Sequence, residues 1–200
     1  MNAEFKPTAR RSRLGVLAVV AVFLIPLLLA AGLYWGGWRP HPTNYGKLVQ
    51  PAHTLAPLWA VDARTGSSIS LSSLYGKWVL LYVGTPACHT HCTEALYKLR
   101  AMALFQGDNA HRVRRVLLLG EMPSSAQIAR LRERFPGLHI LVATEGAWRR
   151  LRAQLAPAAQ SGSVEVLDPL GNWMMWYPPD ADARGMRRDL TRLLAISQIG

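Results

Sequence analysis

The chain is short of sulfur and of acid. It has two cysteines, Cys88 and Cys92, and only 12 aspartates and glutamates against 23 lysines and arginines. Two cysteines allow one redox pair or one metal clamp and exclude a framework of several disulfides. No internal repeat and no long low-complexity tract occurs, which excludes a repeat array. No charged residue lies between Leu14 and Tyr34, and no histidine follows His139. The scarcity of acid leaves a formal charge of +11 on 200 residues. A basic chain invites a nucleic-acid reading, but no groove-reading motif is present. The arginines, Arg112, Arg114, Arg115, Arg130, Arg132 and Arg134 among them, are spread along expected helices and their ends. They read as solvated faces near anionic lipid or an acidic protein partner.

What is present begins with the uncharged stretch. Residues 14–35 are long and apolar enough for a transmembrane anchor, since about 20 helical residues cross the hydrocarbon core. Pro26 near the middle is tolerated in a membrane helix. Lys6, Arg10, Arg11 and Arg13 precede it and hold residues 1–13 on the cytoplasmic side, so the remainder faces outward, a bacterial periplasm fitting best. Trp35 and Trp38 stand where an interfacial aromatic belt is expected. A cleaved signal peptide with Ala30, Ala31 and Gly32 at its end is the rival; the apolar run is too long for it, and bulky Leu33, Tyr34 and Trp35 follow. Either way the cysteines leave the cytosol for a compartment where disulfides form.

Residues 36–57, rich in Gly, Pro, His, Thr and Asn, read as a linker or lid, with His41 and His53 as solvated side chains. Residues 58–200 form one domain. Leu58–Val61 and Ser68–Leu71 read as a hairpin, and Trp78–Val83, between Gly76 and Gly84, as a central strand covered on both faces. Helical spacing follows from Cys92 toward Gln106. A strand is expected over Arg115–Leu119, a helix from Ser124–Ser125 to Phe135, a strand over Leu138–Val142 and a helix over Glu145–Leu155. Ser163–Leu167 and Trp173–Tyr177 read as a closing hairpin, and Asp182–Ile196 as the last helix. Alternating strands and helices indicate an α/β fold with parallel strands. The order of elements is similar to the thioredoxin fold.

The cysteines occur as Cys88-His89-Thr90-His91-Cys92, just beyond the carboxyl end of the central strand, where open α/β sheets gather functional groups. With a helix beginning near Cys88, both sulfurs share one face and the Cα atoms lie about 6 Å apart, within reach of a disulfide. Two thiolates so spaced also suit copper(I), or zinc. Redox couple and metal clamp are both open. Incidental core packing would not call for polar His89, Thr90 and His91. A static structural disulfide would close a very short loop and gain little chain entropy. Cys88, at the positive end of a helix, is the candidate nucleophile and Cys92 the resolving thiol. His89 and His91 are candidate metal donors or modulators of thiol acidity. Met174 and Met175, beside Trp173 and Trp176, read as packing; His111 and His139 read as a loop and a strand histidine.

The segment Gly76-Lys77-Trp78-Val79-Leu80-Leu81-Tyr82-Val83-Gly84-Thr85, followed by two cysteines four apart and by Asp168-Pro169-Leu170-Gly171, resembles the Sco/SenC family of cytochrome c oxidase assembly proteins. The resemblance implies a thioredoxin-like domain on a single inner-membrane anchor. It further implies handling of thiols or copper(I) at Cys88 and Cys92, and an oxidase subunit or another copper or thiol protein as partner. The chain departs from the family in having His89 and Thr93, where prolines are usual after each cysteine. It also has no histidine in Ala156–Ser163, where the family takes its third copper ligand. Two other functions fit the same residues: a general periplasmic thiol-disulfide oxidoreductase, and a non-catalytic tethered interaction module with its cysteines locked together.

Overall fold

The computed structural model describes residues 9–37, 44–55, 57–155, 162–197 and 199. Most of the expected tail 1–13, together with Trp38, His41 and residues 156–161, lies outside them.

Residues 1–43 and 44–200 form two separate units. In the first, α1 spans Ala9–Trp35 with Pro26 inside it. Its stretch Gly15–Trp35 is 21 residues long, or about 30 Å of helix, enough for a bilayer core. Its apolar side chains are exposed, Phe23 by 74%. A core helix would bury them, so α1 is a candidate membrane span.

The second unit is an eight-stranded mixed sheet. Its strands are β1 (Lys47–Thr54), β2 (Trp59–Asp62), β3 (Ser68–Ser70), β4 (Trp78–Gly84), β5 (Val113–Leu119), β6 (Leu138–Ala143), β7 (Val164–Leu167) and β8 (Asn172–Tyr177). They lie side by side in the order β1-β8-β7-β4-β5-β6-β2-β3. β4, β5 and β6 are parallel, and β7 runs antiparallel beside β4. The helices are α2 (Thr90–Leu104), α3 (Ser125–Arg134), α4 (Glu145–Leu155) and α5 (Ala183–Ile196). The unalternating apolar run of β4 follows from burial on both faces. Trp78, Leu80 and Tyr82 join one core with α2, α3 and α5, while Val79 and Leu81 join a second with α4. Ser124 caps α3 in a reciprocal box with Gln127, satisfying two orphan amides.

The expected linker 36–57 is corrected by the structure. Residues 47–54 pair with β8 as an edge strand, its register shifting between Leu48 and His53. Pro51 lacks the amide that an inner strand needs, but an edge strand pairs on one side only and accepts it. The start of this strand is fixed by Asp189 of α5, a buried carboxylate that accepts the amides of Tyr45 at 3.1 Å and Gly46 at 2.7 Å.

Candidate functional site

The site grows out of the end of β4. Beyond Gly84 the turn Thr85–Cys88 closes with a hydrogen bond from the Cys88 amide to the Thr85 carbonyl, 3.1 Å. Cys88 itself has φ of +38°, making it a left-handed residue other than glycine. Such a conformation costs roughly 1–2 kcal/mol and persists where the surroundings over-determine it. Here the Thr85 bond, a bond from Thr93 Oγ1 to the Cys88 carbonyl and the bridge to Cys92 do so. His89 is the extended N-cap, and α2 begins at Thr90.

Cys88 therefore precedes the helix, contrary to the expectation that it opens the first turn. Cys92, the third helical residue, occupies that turn, and the two sulfurs do not share a helix face. They meet because the left-handed step folds Cys88 back over the helix start, while helical Cβ atoms tilt toward the N-terminus. The result is a Cys88–Cys92 disulfide with Cα atoms 5.0 Å apart. Cys92 is buried, 5% exposed, and Cys88 is half-buried. An incoming group meets Cys88 first.

His89, Thr90 and His91 are exposed around the bridge. Gly162, at the entrance to β7, abuts this region: a Cβ added there would lie 3.6 Å from His91 Cβ and 3.0 Å from Pro179 Cβ. Its φ of +99° is a second reason for glycine. Lys98 of α2 donates to the Pro179 carbonyl and ties the loop after β8 to the cysteine helix.

Among the described residues no group of three or more His, Cys, Asp or Glu side chains is arranged to hold a metal ion. His139, at the amino end of β6, and His111, in the turn before β5, lie at the amino ends of the parallel strands, opposite the bridge. His53, on β1, stacks edge-on against Trp173 with ring centroids 5.6 Å apart. Met175 is buried in the core and Met174 packs against it, the packing role read from their neighbours.

Sequence reasoning missed Glu165. It lies in β7 opposite Leu81 of β4 and is 1% exposed. It accepts from Ser163 Oγ and from Trp173 Nε1, both at 2.8 Å. Burial pushes its carboxyl up to about 7, against the pull of those two donors. A single acid inside Val164-Glu165-Val166-Leu167 was the available signal. Asp189 was missed as well. Burial, then the charge of Asp189, holds the nearby Tyr177 hydroxyl above its ordinary range.

Together these features define a class: a thioredoxin-like α/β domain with a cysteine pair at the carboxyl end of its central strand, preceded in the chain by a candidate membrane span. The model of the transmembrane-like, thioredoxin-like, C-terminal domain family matches residues 78–197, and the chain belongs to that family. No curated protein matches the chain. Solved structures share its fold. Copper-bound ScoI of Arabidopsis thaliana has a TM-score of 0.61 at 18% identity, over 72% of this chain and 99% of that one. Apo Sco1 of Thermus thermophilus has a TM-score of 0.59 at 20% identity, over 78% and 99%. The thioredoxin domain of the thiol-disulfide oxidoreductase BVU-2223 of Bacteroides vulgatus has a TM-score of 0.54 at 13% identity, over 71% and 96%.

Proposed function

We propose that the protein is a membrane-anchored, periplasm-facing Sco-like factor that acts as a thiol-disulfide reductant in assembly of the cytochrome c oxidase copper centre. The observation that carries this reading is the Cys88–Cys92 pair at the carboxyl end of the central strand, Cys88 half-buried and Cys92 buried. That asymmetry divides the labour of exchange. In the reduced protein the Cys88 thiolate attacks a partner disulfide. Its S–S bond breaks, a mixed disulfide forms, and one partner sulfur leaves as thiolate. The Cys92 thiolate then attacks Cys88 Sγ and releases the second partner thiolate. Two electrons have passed to the partner, whose thiolates take protons from water, and the protein ends as the disulfide seen here. A dithiol donor of lower potential restores it.

Copper(I) is read as cargo. Binding requires the reduced pair, because a disulfide offers no thiolate. The two sulfurs then supply two soft donors, and exposed His89 and His91 are the imidazoles adjacent to them in sequence. Lys6, Arg10, Arg11 and Arg13, ahead of the apolar stretch Gly15–Trp35, support an inner-membrane orientation with the domain outside, and the fold shared with BsSco, a member of the Sco family of cytochrome c oxidase assembly proteins, favours the oxidase over an unspecified client.

The test uses the full chain in nanodiscs, reduced and free of oxygen. Cys92→Ser should trap a mixed disulfide through Cys88 with a disulfide-bonded copper-site peptide of an oxidase subunit, while Cys88→Ser should not. Equal turnover on unrelated disulfides would instead assign a general oxidoreductase, and absence of any trapped species would refute exchange. Copper(I) titration of the same samples reads the cargo. Affinity no tighter than that of a free dithiol would remove copper from the proposal.

A further inference from the structure

At the edge opposite the disulfide a cleft of about 610 Å³ opens between the β2–β3 turn, the end of α3 and the start of β6. Arg64 and Arg132 line it from two sides. Both are exposed, and the ion pair found among the described residues, Arg149–Glu145, involves neither. The cleft is also bordered by Asp62 and Glu133. The Asp62 carboxylate is already engaged, accepting the Arg64 amide at 2.7 Å, and Glu133 is exposed.

Two cations and two acids thus balance within the lining itself. The positive excess comes from behind it, where Arg114 and Arg115 stand near His139. Arg115 donates to the Pro136 carbonyl at 2.6 Å and fixes the Pro136–Gly137 rim, where φ of +75° calls for glycine. His139, half-buried, is among the residues that line the cleft. Burial first, then Arg114, lowers its pKa below the ordinary histidine value; Asp62 opposes them, and Arg64 and Arg115 add to the lowering. Neutral imidazole can still donate one hydrogen bond. Phe135 and Leu138 supply an apolar side.

We propose that this cleft binds a phosphate-bearing ligand, its oxygens held by Arg64 and Arg132 with a hydrogen bond from His139. Planar guanidinium forks match a phosphate in pairs of bonds, and a dianion gains most from the arginines behind the lining. A soluble phosphate ester and a lipid headgroup share this chemistry. The inference is independent of the thiol reading.

The test is histidine NMR on full-length protein labelled at its six histidines, held in phosphatidylcholine or phosphatidylglycerol nanodiscs. Glycerol 3-phosphate is the soluble probe, with sodium chloride of equal ionic strength as control. Saturable movement of the His139 signal with a raised pKa in phosphatidylcholine discs supports the soluble ester. The same movement in phosphatidylglycerol discs without added ester supports the headgroup. In the Arg64→Ala/Arg132→Ala variant the response should weaken at least about tenfold, from loss of charge-assisted bonds. These exposed positions leave the fold intact. A His139 signal indifferent to both phosphate sources, one moved equally by chloride, or one unaffected by the double substitution overturns the proposal.

Discussion

The two ends of the parallel strands are built from different materials. At the carboxyl end, chain turns are held by backbone bonds, one disulfide and a few side-chain bonds such as that from Thr93 Oγ1 to the Cys88 carbonyl, and His89, Thr90 and His91 are exposed around the bridge. At the amino end, basic side chains reach across gaps to staple carbonyls. Arg112 donates to Leu194, Ser197 and Ile199 at 2.9, 2.7 and 2.9 Å. Arg100 donates to Arg134 at 3.1 Å and Lys77 to His111 at 2.6 Å. Two of these carbonyls, Arg134 of α3 and Leu194 of α5, belong to the last helical turn, where carbonyls lack intrahelical partners and carry the negative end of the helix dipole. Part of the chain's excess of basic residues therefore has a structural use. The contrast teaches that the two ends divide chemistry from stability, and this division can be attacked directly.

The largest effect expected is on chemistry. Cys88→Ser should reduce disulfide exchange to the uncatalysed background, while thermal or denaturant unfolding changes by at most about 2 kcal/mol, the entropy of so short a loop. A collapse of stability with intact exchange would reverse the assignment of the two ends. Next is Glu165, between the ends. Its carboxyl is neutral-favouring in the fold, at about 7, so the native state binds more protons than the unfolded chain between that value and the ordinary carboxylate range. Stability should fall as pH rises through this window, and the full cost is present above it. Glu165→Gln keeps an acceptor for Trp173 and a donor for Ser163. Urea unfolding above pH 7 should show it more stable by about 3 kcal/mol, with a flatter pH profile; an unchanged profile would refute the buried titration.

Smaller effects sharpen the opposite end. Arg112→Ala should cost about 2–3 kcal/mol through its unstapled carbonyls, with an exchange rate per folded molecule equal to that of the parent. A slowed rate would mean that this end reaches the cysteines. Back at the carboxyl end, Ser124→Ala, which opens the box at the start of α3, should cost about 1 kcal/mol by the same unfolding measurement.

Most of the sheet was legible because its signals are local. Glu145–Leu155 shows helical spacing, Trp78–Val83 lies between two glycines, and the closing hairpin turns on Asp168, whose carboxylate accepts from the amides of Leu170 and Asn172. β1 was not legible, because its pairing depends on β8 more than a hundred residues away and Pro51 argues against a strand. The cysteine pair was legible by spacing, but its geometry was not. Helical periodicity extended to Cys88 predicts a shared face, and nothing in the residue type announces a positive φ. Glu165 and Asp189 escaped because their partners, Trp173 and the Tyr45–Gly46 amides, come together only in the folded sheet.

The grip of Asp189 on Tyr45 and Gly46 also has a mechanical meaning. Any tension arriving along the chain from the side of α1 meets the domain first at these residues, where two amide bonds to a buried carboxylate and the bond from the Asp182 amide to Tyr45 Oη are loaded together. Behind them β1 lies along β8, so a pull must shear its ladder or peel it from the edge. These bonds and the β1 ladder would have to give way before such a pull reached the core strands.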